Sequence, residues 1–325
     1  MAKIIVGVLR GGPSSEYEVS LQTGANVLKN LNRERYEPRD ILIDKNGIWH
    51  WNGFQKSEDY ILHRVDVIFN ALHGEYGEDG KVQRILEHFD TPFTGSKSLA
   101  SATAMNKDLT KNFLINSPIK VARHIVIEKE NTDADLEQKI IETWRTFLQP
   151  SVVKPIALGS SVGVGIARDF KTFRELILAA LEKSSAALVE EYLKGREATC
   201  GVVENFRDEA IYPLFPVEIV FPPNREFFDY QAKYSGISRE ICPGNFSPEE
   251  KEEIQQAAVL AHQVLGLSHY SRSDFIVTPK RGIYFLEVNT LPGLTNESLI
   301  PKSLAAVGCS FPNFLEHLIT LAMGR

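Results

Sequence analysis

The stretch KIIVGVLRGGPSSEYEVSLQTGANVLKNL, residues 3–31, is the part of the chain from which a fold class follows most directly. Its first seven residues form a short, continuous apolar run, which is typical of a buried strand. GGPSS follows as a turn, and Leu21, Ala25 and Leu28 then recur at helical spacing, so the pattern predicts a helix over about residues 18–31. A strand that leads through a glycine turn into a helix is the repeating unit of α/β proteins.

Strand-like and helix-like segments keep alternating along the chain, so we predict an α/β fold throughout. The predicted strands include RDILI, VDVIFNAL, TPFTG, SVVKP, GIAR, ALVEEYL, SRSDFIV and GIYFLEVN. Helices are predicted after the N-cap residue Asp169 and after Ser247, where Pro248 and Glu250 complete a strong helix start. The segments group into three units, residues 1–95, 96–195 and 196–325.

Composition excludes several classes of protein. The 325-residue chain carries 36 Lys+Arg against 42 Asp+Glu, a net charge of −6, so no basic face is expected to neutralise nucleic-acid phosphates. Its apolar runs are strand-sized, well below the roughly 20 residues of a membrane span, so we expect no membrane partner. Three scattered cysteines, Cys200, Cys242 and Cys309, argue against a disulfide framework and favour a reducing, cytoplasmic location.

Acidic and amide side chains recur on two strands near the C-terminus, SRSDFIV and GIYFLEVN, which the turn PKRG separates. A simple register places Asp274 opposite Glu287 and Arg272 opposite Asn289, unless a bulge at Gly282 shifts it by one residue. Two carboxylates and an amide oxygen on one sheet would suit Mg²⁺ and, through it, phosphates. The alternative is a pair of solvated carboxylates, or a salt bridge between Asp274 and Arg272.

The loop LGSSVGVG follows the strand that ends in Lys154 and Pro155. Its small residues would let backbone N–H groups approach an anion closely, and Lys154 would add a positive charge. It is not a GxxxxGK[ST] phosphate loop, and the chain has no GxGxxG dinucleotide motif. An ordinary glycine hairpin explains the loop equally well.

Three further places carry polar residues in loops that follow predicted strands. Glu16 lies in GGPSSEYEVSL, where an acidic residue can be a binding group or only a favourable charge in the first helical turn. His73 follows the third strand, and a single histidine there is more often structural than catalytic. Gly293 and Ser298 lie in VNTLPGLTNESLIP, whose default interpretation is a Pro-Gly turn.

Taken together and in order, these stretches resemble the D-alanine–D-alanine ligases of the ATP-grasp superfamily. The matching segments are GGPSSEYEVSL, HGEYGEDGKVQ, PFTGS, AMNK, VKPIALGSSVG, VEEYLKGRE, FDYQAKY, CPG, RSDF and EVNTLPGLTNESLIP. Their joint order is more specific than any single motif and outweighs the separate alternatives. The resemblance implies three domains: an N-terminal Rossmann-like substrate-binding domain, a central ATP-grasp subdomain, and a C-terminal subdomain with the metal site and a lid loop. ATP would lie between the last two.

The resemblance also implies which residues bind the nucleotide and its metal ions. Those expected at the ATP phosphates are Lys107, Lys154 and Lys233. Those expected at the adenine and ribose are Glu190, Glu191, Tyr192, Leu193 and Glu197. Two Mg²⁺ or Mn²⁺ ions would be held by Asp274, Glu287 and Asn289. In AMNK, Asn106 stands where the family usually has aspartate.

A second implied set binds the amino acids and the oxyanion. Glu16 would hold the amine of the first D-alanine, and His73 would lie by its carboxylate. Arg272 and the Gly293 N–H would face the developing oxyanion. The residues implied for the second substrate are Ser298, Leu299 and Tyr234, with Ser160 linking Glu16 to Tyr234. Residues 229–243 resemble the mobile lid of the family.

The implied activity is ATP-dependent joining of two D-alanines through an acylphosphate, for peptidoglycan synthesis, by a protein that in this family is usually a homodimer. Tyr234 favours an amine rather than a hydroxyl as the second nucleophile. Two other classes remain as alternatives. A nucleotide-dependent oxidoreductase is disfavoured by the missing GxGxxG motif, and a non-catalytic nucleotide-binding relative is disfavoured by the intact lysines and carboxylates.

Overall fold

The computed structural model describes residues 2–159, 162–221 and 239–324, and the α/β fold is built on three sheets. The first sheet has the order β4-β3-β2-β1-β5, and β1 runs parallel to both β2 and β5. Its strands are β1 (Ile4–Gly11), β2 (Tyr36–Ile43), β3 (Trp49–Trp51), β4 (Phe54–Gln55) and β5 (Val67–Asn70). The first helices are α1 (Tyr17–Asn30), α2 (Glu58–Leu62) and α3 (Lys81–His88).

The second sheet is antiparallel and has the order β7-β10-β8-β9. Its strands are β7 (His124–Glu128), β8 (Ser151–Pro155), β9 (Gly165–Ala167) and β10 (Ala186–Glu191). Its helices are α6 (Asp133–Thr146) and α7 (Phe170–Lys183), preceded along the chain by α4 (Ser98–Met105) and α5 (Lys107–Leu114). The Asp169 side chain accepts from the backbone N–H of Thr172, so the predicted N-cap of α7 is confirmed.

The third sheet has the order β14-β13-β11-β15-β16-β6, and β12 pairs with β11. Its strands are β6 (Lys120–Val121), β11 (Arg196–Phe206), β12 (Glu209–Pro213), β13 (Val217–Val220), β14 (Arg239–Ile241), β15 (Tyr270–Thr278) and β16 (Gly282–Asn289). The remaining helices are α8 (Pro248–Val264), α9 (Leu299–Ala306) and α10 (Phe311–Ala322). Because β6 joins this sheet, a boundary near residue 195 does not separate every element, and the division into residues 1–95, 96–195 and 196–325 stays a prediction.

The predicted register of the C-terminal hairpin is confirmed. Arg272 pairs with Asn289, and Asp274 pairs with Glu287. Near the turn the pairing is one residue different, with Thr278 opposite Gly282, and a bulge between the two regions restores the predicted alignment. By contrast, the strand predicted for TPFTG is too long. A single residue of that segment, Phe93, pairs as an isolated bridge with Ile68.

Two of the apolar clusters in the described residues show how the sheets are joined. One core joins the first sheet to the third: Val8 of β1, Tyr270 of β15 and Phe314 of α10 are all buried in it, and the last two rings meet edge to face at 5.7 Å. A second core, which includes Val153 and Phe173, fills the space between the second sheet and its helices. The second sheet therefore has its own core, while the first and third are joined.

No single helix in the described part of the chain is long and apolar enough to cross a membrane. Taken together, α9 and α10 have the length and apolar composition of a membrane span, but the two helices are bent by 104° relative to each other. Their apolar residues, including Ile300 and Leu318, are buried inside the protein.

Candidate active site

A cleft lies between the second sheet and the third. Its walls are apolar, with Val152 and Ile166 on one side and Ile276 and Leu286 on the other, which suits a flat heterocyclic ring. Nine residues that the resemblance implies for ATP or metal binding also line it: Lys107, Lys154, Glu190, Glu191, Tyr192, Leu193, Glu197, Asp274 and Glu287. The cleft thus combines an apolar slot with a dense set of charges.

Lys107 is the first residue of α5 and reaches into the cleft. Its Nζ donates to the carbonyl oxygen of Leu158, at 2.7 Å, and lies 3.3 Å from a carboxylate oxygen of Glu287. Asn106 caps the helix, because its side-chain oxygen accepts from the N–H groups of Asp108 and Leu109. The asparagine that replaces the usual aspartate is therefore a helix cap beside the site.

Lys154, Glu190 and Lys111 form a buried charge network. One carboxylate oxygen of Glu190 is paired with Lys154, and the other lies 2.7 Å from Nζ of Lys111. Burial alone would raise the pKa of Glu190, but the two ammonium groups outweigh it and the pKa falls to about 2. Burial would likewise lower the pKa of Lys154, yet Glu190 and Glu287 raise it. Glu190 and Lys154 are therefore both charged.

Glu191 and Tyr192 lie at the end of the strand that edges the cleft. The Glu191 carboxylate is paired with Arg281, at 3.1 Å, and the ring of Tyr192 lies 5.6 Å from the guanidinium of Arg168. Since Glu190 is paired as well, the carboxylates of Glu190 and Glu191 are both engaged in ion pairs and not directed at an adenine ring. The backbone of the strand is the better candidate for the implied adenine contacts.

Arg272 and Asp274 form a two-fold salt bridge on β15. The guanidinium Nε and Nη2 each lie 3.0 Å from one Asp274 oxygen, and the hydroxyl of Thr199 donates to Asp274 at 2.6 Å. Burial would lower the pKa of Arg272, but Asp274 raises it. The salt bridge considered as an alternative is therefore present, and Asp274 also lines the cleft beside Glu287. Asn289 does not line it, and its side-chain oxygen accepts from the N–H of Leu291.

Glu16 is the N-cap residue of helix α1, and two glycines lie close to its carboxylate. A side chain at Gly74 would bring its first carbon within 2.8 Å of a Glu16 carboxylate oxygen, and one at Gly159 within 3.0 Å. Gly74 also has a positive φ of 69°, which glycine tolerates best. Because Gly159 belongs to the loop after β8, this glycine loop reaches across to the N-terminal unit.

His73 is buried and already has partners for both ring nitrogens. Nε2 lies 2.8 Å from the hydroxyl of Thr23, and Nδ1 lies 2.9 Å from the carbonyl oxygen of Leu291. A carbonyl oxygen only accepts, so Nδ1 carries a proton. His73 thereby ties the N-terminal unit to the loop after β16, and an additional direct contact to a substrate carboxylate would require one of these bonds to change.

The region around Ser298 is compact. Its hydroxyl oxygen accepts from the N–H of Thr295 at 3.0 Å, and a side chain at Gly293 would come within 2.9 Å of it. Leu299 packs against Val217 and Ile219 in a small apolar cluster. Gly293 and Ser298 are thus neighbours, and their roles in substrate binding stay predictions. Predictions for Ser160, Lys233 and Tyr234, and for most of the implied lid, fall outside the described residues.

Two buried residues of the site were missed by sequence reasoning. Lys111 follows Lys107 by four residues, and helical spacing would have placed both on one face. Glu78 accepts from the N–H of Gly74 at 2.8 Å and lies 3.8 Å from His73 Nδ1, and burial raises its pKa. Leu158 lines the cleft and the next residue, Gly159, lies against the Glu16 carboxylate, so the surroundings of Glu16 adjoin the cleft.

Comparison with known proteins identifies the class. Family models described as the D-ala D-ala ligase N-terminus and C-terminus match residues 5–63 and 52–96, and residues 113–320. Curated D-alanine–D-alanine ligases from Clostridium beijerinckii and Geotalea uraniireducens are 37% and 39% identical, over 97% and 98% of this chain and 97% and 95% of their own lengths.

Solved structures agree with these matches. The VanG D-Ala:D-Ser ligase from Enterococcus faecalis has a TM-score of 0.84 at 29% identity, covering 99% of this chain and all of its own. The D-alanine–D-alanine ligase from Bacillus anthracis complexed with ATP has a TM-score of 0.78 at 30% identity, covering 99% and 98%. The fold is that of the ATP-grasp class of ATP-dependent ligases. Within that class, the chain belongs to the D-alanine–D-alanine ligase family.

Proposed function

We propose that this protein joins two D-alanines to D-alanyl-D-alanine at the expense of ATP, for peptidoglycan synthesis. The observation that carries the proposal is the cleft, where nine of the implied ATP and metal residues converge in a chain 37–39% identical to curated D-alanine–D-alanine ligases. The chemistry requires activation because a free carboxylate is a poor acyl donor. Transfer of the γ-phosphoryl group to a carboxylate oxygen of the first D-alanine gives an acylphosphate and ADP.

The charges in the cleft suit phosphoryl transfer, which depends on positioning and charge neutralisation more than on covalent help. Lys107 and Lys154 would neutralise the phosphates of ATP, and Glu197 would bind the ribose. The apolar slot between Val152 and Leu286 would hold the adenine. The lysines are already fixed by their contacts with Glu287 and Glu190, so little reorganisation would be needed when the nucleotide binds.

The donor set also fits a divalent cation. Asp274 and Glu287 are paired across β15 and β16 and both line the cleft, and carboxylate oxygens are the ligands that Mg²⁺ and Mn²⁺ prefer. Asn289 uses one lone pair of its amide oxygen on Leu291, so a second remains for a metal. We propose that these three residues hold two ions, which when bound would neutralise charge on the transferred phosphoryl group.

The second half of the reaction would be acyl transfer. Glu16 would hold the ammonium of the first D-alanine, with His73 near its carboxylate. The amine of the second D-alanine attacks the acylphosphate carbonyl carbon, a C–N bond forms, and phosphate leaves after the amine loses its proton. Arg272 and the Gly293 N–H would stabilise the intervening oxyanion, each contributing about 3 kcal/mol by analogy with other oxyanion sites.

Several residues complete the proposal. Ser298, Leu299 and Tyr234 would position the second substrate, Ser160 would link Glu16 to Tyr234, and Lys233 would join the phosphate site. Residues 229–243 would close over the acylphosphate and exclude water, which would otherwise hydrolyse it. We further propose that residues 1–95, 96–195 and 196–325 act as three domains, and that the protein is a cytoplasmic homodimer.

Product analysis tests the function directly. Purified protein would be incubated with ATP, Mg²⁺ and D-alanine, and the products identified by mass spectrometry beside a phosphate assay. We expect one phosphate and one ADP for each dipeptide, and no product from L-alanine. Parallel reactions that add D-serine or D-lactate test the second nucleophile. Preferred formation of either mixed product would contradict the specificity, and no nucleotide turnover with any D-amino acid would contradict the ligase activity.

A further inference from the structure

Helix α5 buries a second lysine that the proposed chemistry does not use. Lys107 and Lys111 are one helical turn apart, and both point from α5 toward the nucleotide cleft. Lys107 lines the cleft, whereas the Lys111 side chain is 0% exposed and does not line it. A buried ammonium is costly unless it is paired, so its retention here needs a reason.

The reason is visible in the geometry of Glu190. Its two carboxylate oxygens are divided between two ammonium groups, with Lys111 on the buried side and Lys154 on the cleft side. The side chain of Glu190 is only 3% exposed, so water contributes little screening to either pair. Burial lowers the pKa of Lys111, and the Glu190 carboxylate 2.7 Å away opposes that lowering by favouring the ammonium form. With Lys111 protonated in this ion pair, the three groups carry two positive charges and one negative charge, a net charge of +1 beside the cleft.

We propose that Lys111 is a positioning residue for the triphosphate: by binding one oxygen of Glu190, it leaves Lys154 with a net positive charge for the phosphates of the nucleotide. This inference rests on the proposed function of the cleft. Without Lys111, Glu190 and Lys154 would form a neutral pair. The freed carboxylate could also turn toward Lys154 with both oxygens and hold its ammonium away from the cleft.

The two lysines therefore have different roles. Lys154 lines the cleft and can touch the nucleotide, while Lys111 can act on it only through Glu190. The effect of Lys111 on Lys154 through Glu190 changes the electrostatic attraction for the phosphates and does not alter the apolar slot for the adenine. It should change the binding of a nucleotide and leave the binding of a nucleoside unaffected.

The test uses the full-length protein and compares AMP-PNP with adenosine by calorimetry in the presence of Mg²⁺. In Lys111→Met we expect AMP-PNP binding to weaken at least tenfold and adenosine binding to stay within twofold. The KM for ATP should rise, with a smaller change in kcat. Equal weakening of AMP-PNP and adenosine binding would mean that Lys111 only maintains the structure. Unchanged binding of both ligands would also overturn the inference.

A second variant checks the charge argument and does not depend on the first. Lys111→Met combined with Glu190→Gln removes both members of the inner pair and restores the net charge of +1. We expect the ratio of adenosine to AMP-PNP dissociation constants to return to within threefold of the parent value, and failure to do so contradicts the proposal. If Lys111→Met does not fold, Lys111→Gln is used, because its amide can still donate to Glu190 without a charge.

Failure of this inference and failure of the proposed function have different signatures. A parent protein that makes no dipeptide contradicts the ligase function, whatever the variants do. A parent protein that makes dipeptide, with a Lys111→Met variant whose binding ratio is unchanged, contradicts only the role of Lys111.

Discussion

Glu287 connects several of the charged residues of the cleft. It lies 3.3 Å from the ammonium of Lys107, pairs with Asp274 across the hairpin, and helps to raise the pKa of Lys154. It is therefore a proposed metal ligand that also contacts a proposed phosphate-binding lysine, Lys107. Its charge matters as much as its shape.

We expect Glu287→Gln to lower kcat by more than tenfold, because the amide keeps the size of the side chain but removes an anionic ligand shared by the cations. Phosphate release under saturating ATP and D-alanine measures this, and Mn²⁺ titration should show weaker metal binding. A variant that keeps more than about a tenth of kcat, a loss under roughly 1.4 kcal/mol, would contradict the proposed role.

Arg272 is fixed by Asp274 through two 3.0 Å contacts, which suits a group that must be in position before an oxyanion develops. We expect Arg272→Ala to reduce kcat about a hundredfold or more while the dissociation constant for ATP changes less than threefold. Steady-state kinetics and nucleotide titration measure the two quantities. Arg174→Ala is the matched control, since Arg174 also pairs with a carboxylate, Glu137 at 2.7 Å, but is half exposed and outside the cleft. A loss confined to ATP affinity would exclude the oxyanion role.

At the level of elements, local patterns were predicted well and long-range pairings were not. The hairpin of β15 and β16 follows from two strand-like runs separated by the turn PKRG, and the pairing of Asp274 with Glu287 is confirmed. Near the turn the pairing is nevertheless one residue away from the predicted register, and the bulge between Asp274 and Phe275 compensates for that difference. TPFTG looks like a strand, but only Phe93 forms a bridge, to Ile68, and no local pattern encodes that long-range pairing.

The same distinction applies to the site. Motif order gave the residues that line the cleft, but it could not show that Glu190 and Glu191 are already paired with cations from distant segments. Arg281, for example, reaches Glu191 from the hairpin turn 90 residues later. Such contacts depend on how the sheets pack, so local sequence patterns do not reveal them.

Helix α8 provides a test of element-level stability because its start was predicted in detail. The side chain of Ser247 accepts from the N–H of Glu250, and the Glu250 side chain accepts from the N–H of Ser247, which completes a capping box. We expect Ser247→Ala to destabilise the protein by about 1 kcal/mol, since it leaves an N–H at the helix start without its partner. Denaturant unfolding measures the change. Ser247→Thr keeps the acceptor oxygen and should retain most of the stability, and an equal loss in both variants would contradict the capping role.

For the molecule as a whole, the first and third sheets are joined both by a shared core and by polar contacts. The N–H of Gly95 donates to Nδ1 of His269 at 3.0 Å, and the Asn26 side chain donates to the carbonyl oxygen of Leu294 at 2.7 Å. With the bond from His73 to Leu291, these contacts fix the proposed D-alanine pocket relative to the hairpin. The second sheet has its own core, so the nucleotide cleft lies between two bodies that are stabilised separately.

This arrangement predicts different consequences for two matched core substitutions. Phe314 and Phe173 are both fully buried, and each contacts one aromatic ring, Tyr270 and Trp144 respectively, at 5.7 and 5.3 Å. Either Phe→Ala change should cost about 3–5 kcal/mol, because each leaves a cavity. Hydrogen exchange should distinguish them. Phe314→Ala should reduce protection in β1 and β15 together, since its core spans both sheets, whereas Phe173→Ala should reduce it in β8 and β10 and leave β1 unchanged. Loss of protection in β15 alone after Phe314→Ala would show that the first and third sheets do not open as one unit.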